Sequence, residues 1–330
     1  MVERLSQNNE MKILYITNMY PNSTNPYYGI FVKEQIDAIQ EVQNVKHDVY
    51  IIKGRESKFN YIKSIFGIHK IISRGKYDLI HVHFGLSAFF LLFFKPRIPV
   101  ILTLHGSDIQ SGQQKYLQVI TKWVLRRADK AIVVNDNMVD VTKRYISDIH
   151  VIPCGVNTQF FSPRNDIKTN SDTKYHIVFP SSRNRYIKNY PLFKATCLIL
   201  KEKYNLDIEC HYLENLSRNE VASLFQCSDL MLLTSISEGS PQVVKEAMAS
   251  NLSVVTTNVG DVMHLLSGVA NCYVAPKPEP ELLAQLAYQS LTQKTQGLSP
   301  REKLLSLKLD DCSVAQDVIA LYQTTIHSTH

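Results

Sequence analysis

Short apolar runs alternate with helix-length amphipathic segments along the whole chain, and this alternation limits the folds open to it. Strand candidates lie at 12–17, 48–52, 78–82, 99–104, 130–134 and 149–152, then at 175–180, 207–213, 229–233, 252–257 and 271–274. Helical patterns fall between them, near 30–42, 59–75, 85–94, 114–127 and 136–146, then near 190–204, 217–227, 241–250, 259–267 and 278–294. The strand candidates are short and continuously apolar, as strands covered on both faces must be. Such alternation argues for parallel, doubly wound sheets. At 330 residues there is room for two such domains, each with its own core. The polar stretch 162–174, SPRNDIKTNSDTK, is the expected linker. In open parallel sheets ligands sit at the carboxyl ends of the strands, so the loops after each strand carry the expected chemistry.

Composition narrows the function. The formal net charge is +6, and the segment 53–76 alone accounts for it, with seven Lys/Arg against Glu56. The basicity is a local patch rather than a general nucleic-acid-coating charge, so no nucleic-acid partner is expected. The polar start MVERLSQNNEMK does not read as a signal peptide. The longest apolar run, Phe84 to Phe94, is too short to span a bilayer. The six cysteines form no C-x-x-C pair, and reduced thiols in a cytoplasmic protein are the simplest expectation.

Several chemistries lack their motifs. There is no G-x-G-x-x-G, no G-x-x-x-x-G-K-[ST], no G-x-S-x-G and no D-x-D. Nicotinamide, P-loop, hydrolase and metal-diphosphate sites therefore lose support.

Four loops remain. In TSISEGSPQVVKEAMAS (234–250), Glu238, Gly239, Ser240, Pro241 and Gln242 lead into a helix that carries Glu246. A helix N-terminus attracts anionic groups, and the two glutamates could accept hydrogen bonds from sugar hydroxyls. On its own, E-x7-E suits equally a glutamate favouring the helix dipole and a solvated helix residue. In VFPSSRNRYIKN (178–189), Arg183 and Lys188 share one loop and could hold a diphosphate as it leaves; ordinary surface charge is the alternative. In LTLHGSDI (102–109), His105 ends a strand and could donate to a phosphate or hydroxyl. Of the neighbouring histidines, His81 reads as buried structure and His83 as the better site candidate. In NMYPNSTNPYYGIF (18–31), Gly29 opens a helix where phosphate could approach backbone N–H groups.

Taken together these segments resemble the retaining glycosyltransferases of family 4. DLIHVH (78–83), TLHGSD (103–108), VIPCGVNTQFF (151–161), Arg183-x4-Lys188 and Glu238-Gly239-x6-Glu246 stand in the family's order, from about residue 11 to about residue 276. Three positions depart from its pattern: Ser182 replaces a glycine, Cys154 an asparagine and Asn157 an aspartate. The family's second C-domain strand, with its glycine-rich turn, has no counterpart, which shortens the second domain.

The resemblance implies a GT-B fold, with two Rossmann-like α/β domains facing a central cleft. Residues 1–160 would form the acceptor-side domain and 161–310 the nucleotide-sugar domain. A C-terminal helix in 311–330 would return to the first domain. It implies sugar transfer with retained anomeric configuration to a glycan or lipid-linked hydroxyl in cell-surface polysaccharide synthesis. The donor would be a UDP-sugar in preference to a GDP-sugar, with no metal and no other cofactor. Arg183, Lys188, His105 and Glu238 would serve catalysis. Gly29, Gly239, Ser240, Pro241, Gln242 and Glu246 would complete the nucleotide-sugar site. A nucleotide-sugar 2-epimerase and a non-catalytic binding subunit are the rival readings.

The basic segment has one further expectation. Phe59, Ile62, Ile65, Phe66, Ile68, Ile71 and Ile72 lie among Lys58, Lys63, Lys70, Arg74 and Lys76. A helix there has an apolar stripe flanked by cations. It suits a core-packed helix with a solvated basic face, or docking on an anionic membrane.

Overall fold

A computed structural model describes residues 11–23, 25–109, 115–164 and 174–328. The expected linker lies mostly outside these, at 165–173. The chain forms two compact units, one built from the residues up to Gly155 together with those from Cys312 onward, the other from Val156–Asp311.

In the first unit the elements run β1 (Lys12–Thr17), α1 (Ile30–Val42), β2 (Lys46–Ile51), α2 (Asn60–Arg74), β3 (Leu79–His83), β4 (Val100–Leu104), α3 (Lys115–Leu125), β5 (Lys130–Val133), α4 (Val139–Thr142) and β6 (Ile149–Val151). In the second they run β7 (Tyr175–Phe179), α5 (Tyr190–Glu202), β8 (Ile208–Tyr212), α6 (Arg218–Cys227), β9 (Leu230–Leu233), α7 (Gln242–Ala249), β10 (Ser253–Thr257), α8 (Val262–Leu266), β11 (Tyr273–Ala275), α9 (Pro280–Thr292) and α10 (Pro300–Ser306). The last helix, α11 (Asp311–His327), leads back to the first unit.

Both sheets are parallel throughout the described residues. The first has the order β2-β1-β3-β4-β5-β6, the second β11-β10-β9-β7-β8. The continuous apolar strands are explained by burial on two faces. Leu14, Ile16, Ile80, Val82, Leu102 and Leu104 pack with Ile68 of α2 and Val124 of α3. The alternate residues Ile13, Tyr15, Leu79 and Ile101 pack with Val32 and Ile36 of α1 and with Val318 and Tyr322 of α11.

Three helices differ from the sequence pattern. Residues Gly85–Leu92 wind as a 3-10 helix rather than an α-helix. Its start is pinned by tertiary contacts: the Gly85 N–H donates to Asp108 Oδ2 at 3.2 Å, and a Cβ on Gly85 would lie 2.1 Å from Thr121 Oγ1. The helix expected at 136–146 shortens to a 3-10 turn, Asp136–Met138, followed by α4. Helix α10 lay outside the predicted elements. It has a reciprocal cap between Ser299 and Glu302 with proline in its first turn.

Candidate active site

Strand β7 lies between β8 and β9, so the chain leaves it in opposite directions on its two sides. This is the topological switch point, where a crevice opens outside the carboxyl ends of a parallel sheet. The loop after β7 carries Arg183 and Lys188, and the loop after β9 carries Glu238 to Pro241, with Gln242 opening α7. Hydrogen bonds join the two loops. The Ile236 N–H donates to the Ile187 carbonyl at 2.8 Å, and the Thr234 hydroxyl to the carbonyls of Lys188 and Asn189 at 3.0 and 3.1 Å. Asn189, at φ 52 and ψ 54, turns the chain from the Lys188 loop into α5.

This scaffold buries Lys188. Its ammonium donates to Glu238 Oε1 at 2.5 Å, and the Ser235 hydroxyl donates to the same oxygen at 2.7 Å. The Lys188 and Glu238 side chains are 9% and 16% exposed, so the pair is poorly screened. Ordinary surface charge, the alternative weighed for Lys188, does not describe it. Gly239 is gripped from the next loop: Gly260 has φ +59, and a Cβ there would sit 2.3 Å from the Gly239 carbonyl oxygen. Backbone therefore packs on backbone beside the start of α7. Burial raises the Asp261 carboxyl above its usual range, opposed by the Ser240 hydroxyl and by Lys245. The Ser181 hydroxyl, at the end of β7, is buried without a hydrogen-bond partner among the described residues. Pro241 is the N-cap of α7, and Gln242 is the first helical residue.

The sequence reading joined Arg183 to Lys188 on one ligand. In the structure each cation has its own carboxylate. Arg183 donates from Nε and Nη2 to Glu214 Oε2 at 3.2 and 3.1 Å, its backbone N–H donates to Oε1, and its guanidinium lies 4.8 Å above the Tyr212 ring. The Arg183 N–H and guanidinium hold Glu214 below the usual carboxylate range. Glu246 is buried, not solvated, and its Oε1 accepts from Arg218 Nη1 at 2.8 Å. Arg218 in turn packs 4.7 Å over the Phe161 ring. Glu214 and Arg218 were absent from the sequence-derived site. A basic or acidic residue just beyond a strand end was the signal available for Glu214; nothing local marks Arg218.

In the first unit, His105 follows β4. Its Nε2 lies 3.3 Å from His83 Nδ1 and its Nδ1 3.9 Å from Cys154 Sγ. Phe84 and Phe31 pack on its ring at 4.4 and 4.9 Å. Its backbone N–H donates to Asp108 Oδ1 at 3.1 Å, and burial pushes the Asp108 carboxyl up to about 6. His83, the favoured neighbour from sequence, is fully buried, and burial drives its imidazole down to about 3. His81 is structural as expected: its ring nitrogens meet the Tyr322 hydroxyl at 2.5 Å and the Thr103 hydroxyl at 2.6 Å. Phe84, beside them, has φ 70, an unfavourable conformation for a bulky residue that the packing around it enforces. Gly29 is at φ +71, and a Cβ there would sit 2.3 Å from the Met19 carbonyl oxygen. Only glycine suits that entry to α1.

Both units match known families. The model named Glycosyltransferase Family 4 matches residues 24–160, and that named Glycosyl transferases group 1 matches residues 194–303. A UDP-Gal:alpha-D-GlcNAc-diphosphoundecaprenol alpha-1,3-galactosyltransferase of Escherichia coli is 24% identical over 60% of this chain and 62% of its own length, less than two thirds of that relative. A Bacillus subtilis glycosyltransferase named for teichuronic acid biosynthesis is 24% identical over 81% of this chain and 86% of its own. Among solved structures, a sucrose-phosphate synthase from Thermosynechococcus elongatus has a TM-score of 0.76 at 17% identity, covering 96% of this chain and 100% of its own. Anabaena HepE in complex with UDP has a TM-score of 0.68 at 16% identity, covering 95% of this chain and 100% of its own. The two parallel α/β sheets are those of the GT-B fold. With family matches on both units and glycosyltransferases among its relatives, the chain is a glycosyltransferase of the family 4 type.

Proposed function

We propose that the protein moves a sugar from a nucleotide-sugar donor, a UDP-sugar in preference to a GDP-sugar, to a hydroxyl of a glycan or lipid-linked acceptor with retained anomeric configuration. The ion pair of buried Lys188 with half-buried Glu238, at the switch point of the second unit, carries this reading. An ammonium held beside a helix N-terminus suits a diphosphate. As the sugar–phosphate bond breaks, Lys188 would donate to the β-phosphate oxygens, with Arg183 adding charge from the same loop. Each such preorganised donor is worth about 3–4 kcal/mol in the transition state. Glu238, released from Lys188, would accept from donor-sugar hydroxyls, and Glu246 from the ribose. His105, flanked by Phe31 and Phe84, would donate to the sugar or its phosphate.

The relatives favour this donor and acceptor class. The E. coli relative is named for UDP-Gal and a diphosphoundecaprenol acceptor, and HepE has been solved with UDP and with UDP-glucose. The transfer needs no added metal on this reading, because the carboxylates Glu214, Glu238 and Glu246 are each engaged by a cationic side chain. The decisive experiment is a panel of UDP- and GDP-sugars, scored for nucleotide release with and without acceptor and with chelator present. Acceptor-dependent UDP release with a retained anomer is expected. An epimerised free sugar, or no turnover with any donor, would refute the reading.

An anionic membrane surface completes the proposal. No helix among the described residues is long and apolar enough to cross a membrane. On α2 and the residue before it, however, Phe59, Ile62 and Phe66 are 58%, 46% and 74% exposed, among exposed Lys58, Lys63, Lys70 and Arg74. Each Lys or Arg near such a surface adds about 1 kcal/mol. Sedimentation with vesicles should rise with anionic lipid and fall with salt. Indifference to anionic vesicles at low salt would remove the membrane from the account.

A further inference from the structure

Strands β7 and β8 carry a second cluster of polar side chains, at the edge of the sheet. Their parallel register sets His176 opposite Glu209 and Val178 opposite His211. Side chains in register share a face, and residues two apart on a strand share it too. His176, Glu209 and His211 therefore converge. His176 Nδ1 lies 2.9 Å from His211 Nε2, and Glu209 Oε1 lies 3.9 Å from the same nitrogen. The three ligand atoms fall within 4.8 Å of one another. The two imidazoles stack with centroids 5.1 Å apart and planes at 27°. Lys174 Nζ sits 3.6 Å from Glu209 Oε2, which leaves Oε1 toward the imidazoles. Cys210, between Glu209 and His211 on the strand, faces the other side of the sheet.

We propose that His176, Glu209 and His211 bind a divalent first-row transition metal, zinc or copper(II), through two imidazole nitrogens and one carboxylate oxygen. Ligands on zinc at about 2.0–2.1 Å in a tetrahedron stand about 3.3 Å apart. To reach that spacing the imidazole pair needs to open by a few tenths of an ångström, and the carboxylate to close by roughly half an ångström on His211 and by up to about 1.5 Å on His176. Both are rotamer adjustments at partly exposed side chains. Water supplies the remaining ligand. Nitrogen-rich donors suit zinc and copper(II) rather than magnesium or calcium, and copper(II) binds such donors tightest in the first-row series. The ion would tie β8, an edge strand, to β7. Tyr212 and Glu214, which hold Arg183, follow His211 immediately, so the tie would stiffen the strand end that positions that arginine. The ion takes no part in the transfer proposed above.

The test uses the full chain, free of any polyhistidine tag and stripped of metal. Zinc and copper(II) are titrated by calorimetry, copper coordination is read by electron paramagnetic resonance, and zinc is added in thermal unfolding. One equivalent of each ion should bind, copper should show nitrogen coordination, and zinc should raise Tm. The His176→Asn/His211→Asn double variant should lose affinity by more than the roughly 10–100-fold that outer-sphere changes cost, and should lose the Tm rise. Glu209→Gln, a change at an exposed edge residue, should weaken binding in the same direction and decides the matter if the double variant does not fold. Unchanged affinity in these variants would assign the ion to other ligands. No binding by the parent chain would leave the imidazoles as a simple hydrogen-bonded pair. None of these readouts depends on sugar transfer, so failure here and failure of the transferase reading are distinguishable.

Discussion

Acidification should destabilise the first unit over a range in which most surface carboxylates stay ionised. The cause is the buried His81–His83 pair. Burial drives the His83 imidazole from an ordinary value near 6.5 to about 3, and His81 well below its usual range. In the unfolded chain both titrate normally. Between those limits the unfolded state holds a proton that the folded state refuses. Stability is therefore full above the unfolded value and is lost as pH falls toward the folded one. From pH 7 to 5 the His83 contribution to the loss is about 2 kcal/mol, and His81 adds in the same direction. Asp108 acts oppositely. Burial pushes its folded carboxyl up to about 6 from an ordinary value of 3.8, so the folded state takes that proton first and regains about 1 kcal/mol over the same interval. A net loss should remain. Trp123, the sole tryptophan, lies on α3 of this unit and reports its unfolding in urea at pH 7, 6 and 5. His83→Asn should be less stable at pH 7 but should show a slope shallower by about 1 kcal/mol per pH unit. Parallel curves for parent and variant would refute the argument, because the proton refused by His83 would then not be the one that matters.

Three further outcomes are expected. Lys188→Ala leaves the half-buried Glu238 carboxylate with only the Ser235 hydroxyl, so it should cost about 1–3 kcal/mol of stability as well as two to three powers of ten in turnover. The paired Lys188→Met/Glu238→Gln variant should recover stability but not turnover, and recovery of both would dismiss a chemical role for the pair. Glu246→Gln should weaken UDP binding about tenfold with little change in kcat, since ribose contacts would persist through the reaction; an unchanged Kd by calorimetry would contradict that role. Alkylation at Cys154, whose Sγ lies 3.9 Å from His105 Nδ1, should inactivate the enzyme, and Cys154→Ser should resist. Equal inactivation of both would point to the exposed Cys227 or Cys312 instead.

How much of this the sequence made legible follows from the range of each interaction. The strands were legible because burial on two faces imposes continuous apolar runs, as LMLL of β9 shows. The loops that hold Lys188 and Glu238 were legible because strand ends carry ligands in such sheets. Their direct pairing was not, since it depends on β9 lying beside β7, an order that the alternation of strands and helices leaves open. The same reason hides Glu214 as the partner of Arg183: it requires β8 on the opposite side of β7. His81 read correctly as buried, but its partner Tyr322 lies 241 residues away in the chain. Helix α10 was a different case. Ser299, Pro300 and Glu302 are a local signature of a helix start, so nothing long-range hides this helix.

The division of the first unit into two stretches of chain constrains how the protein is made. Synthesis runs from the amino end, so α11 emerges only after the whole of Val156–Asp311. Until then the α1-side face of the first sheet lacks Val318 and Tyr322, and the hydroxyl that meets His81 is missing. The second unit does not wait. Its ends already meet, since Val156 bridges to Asp310 and the Asp311 N–H donates to the Val156 carbonyl at 3.0 Å. It can close as an inserted module while its host is still unfinished, and the host is completed last, by the helix that reaches it from the far side of the insertion.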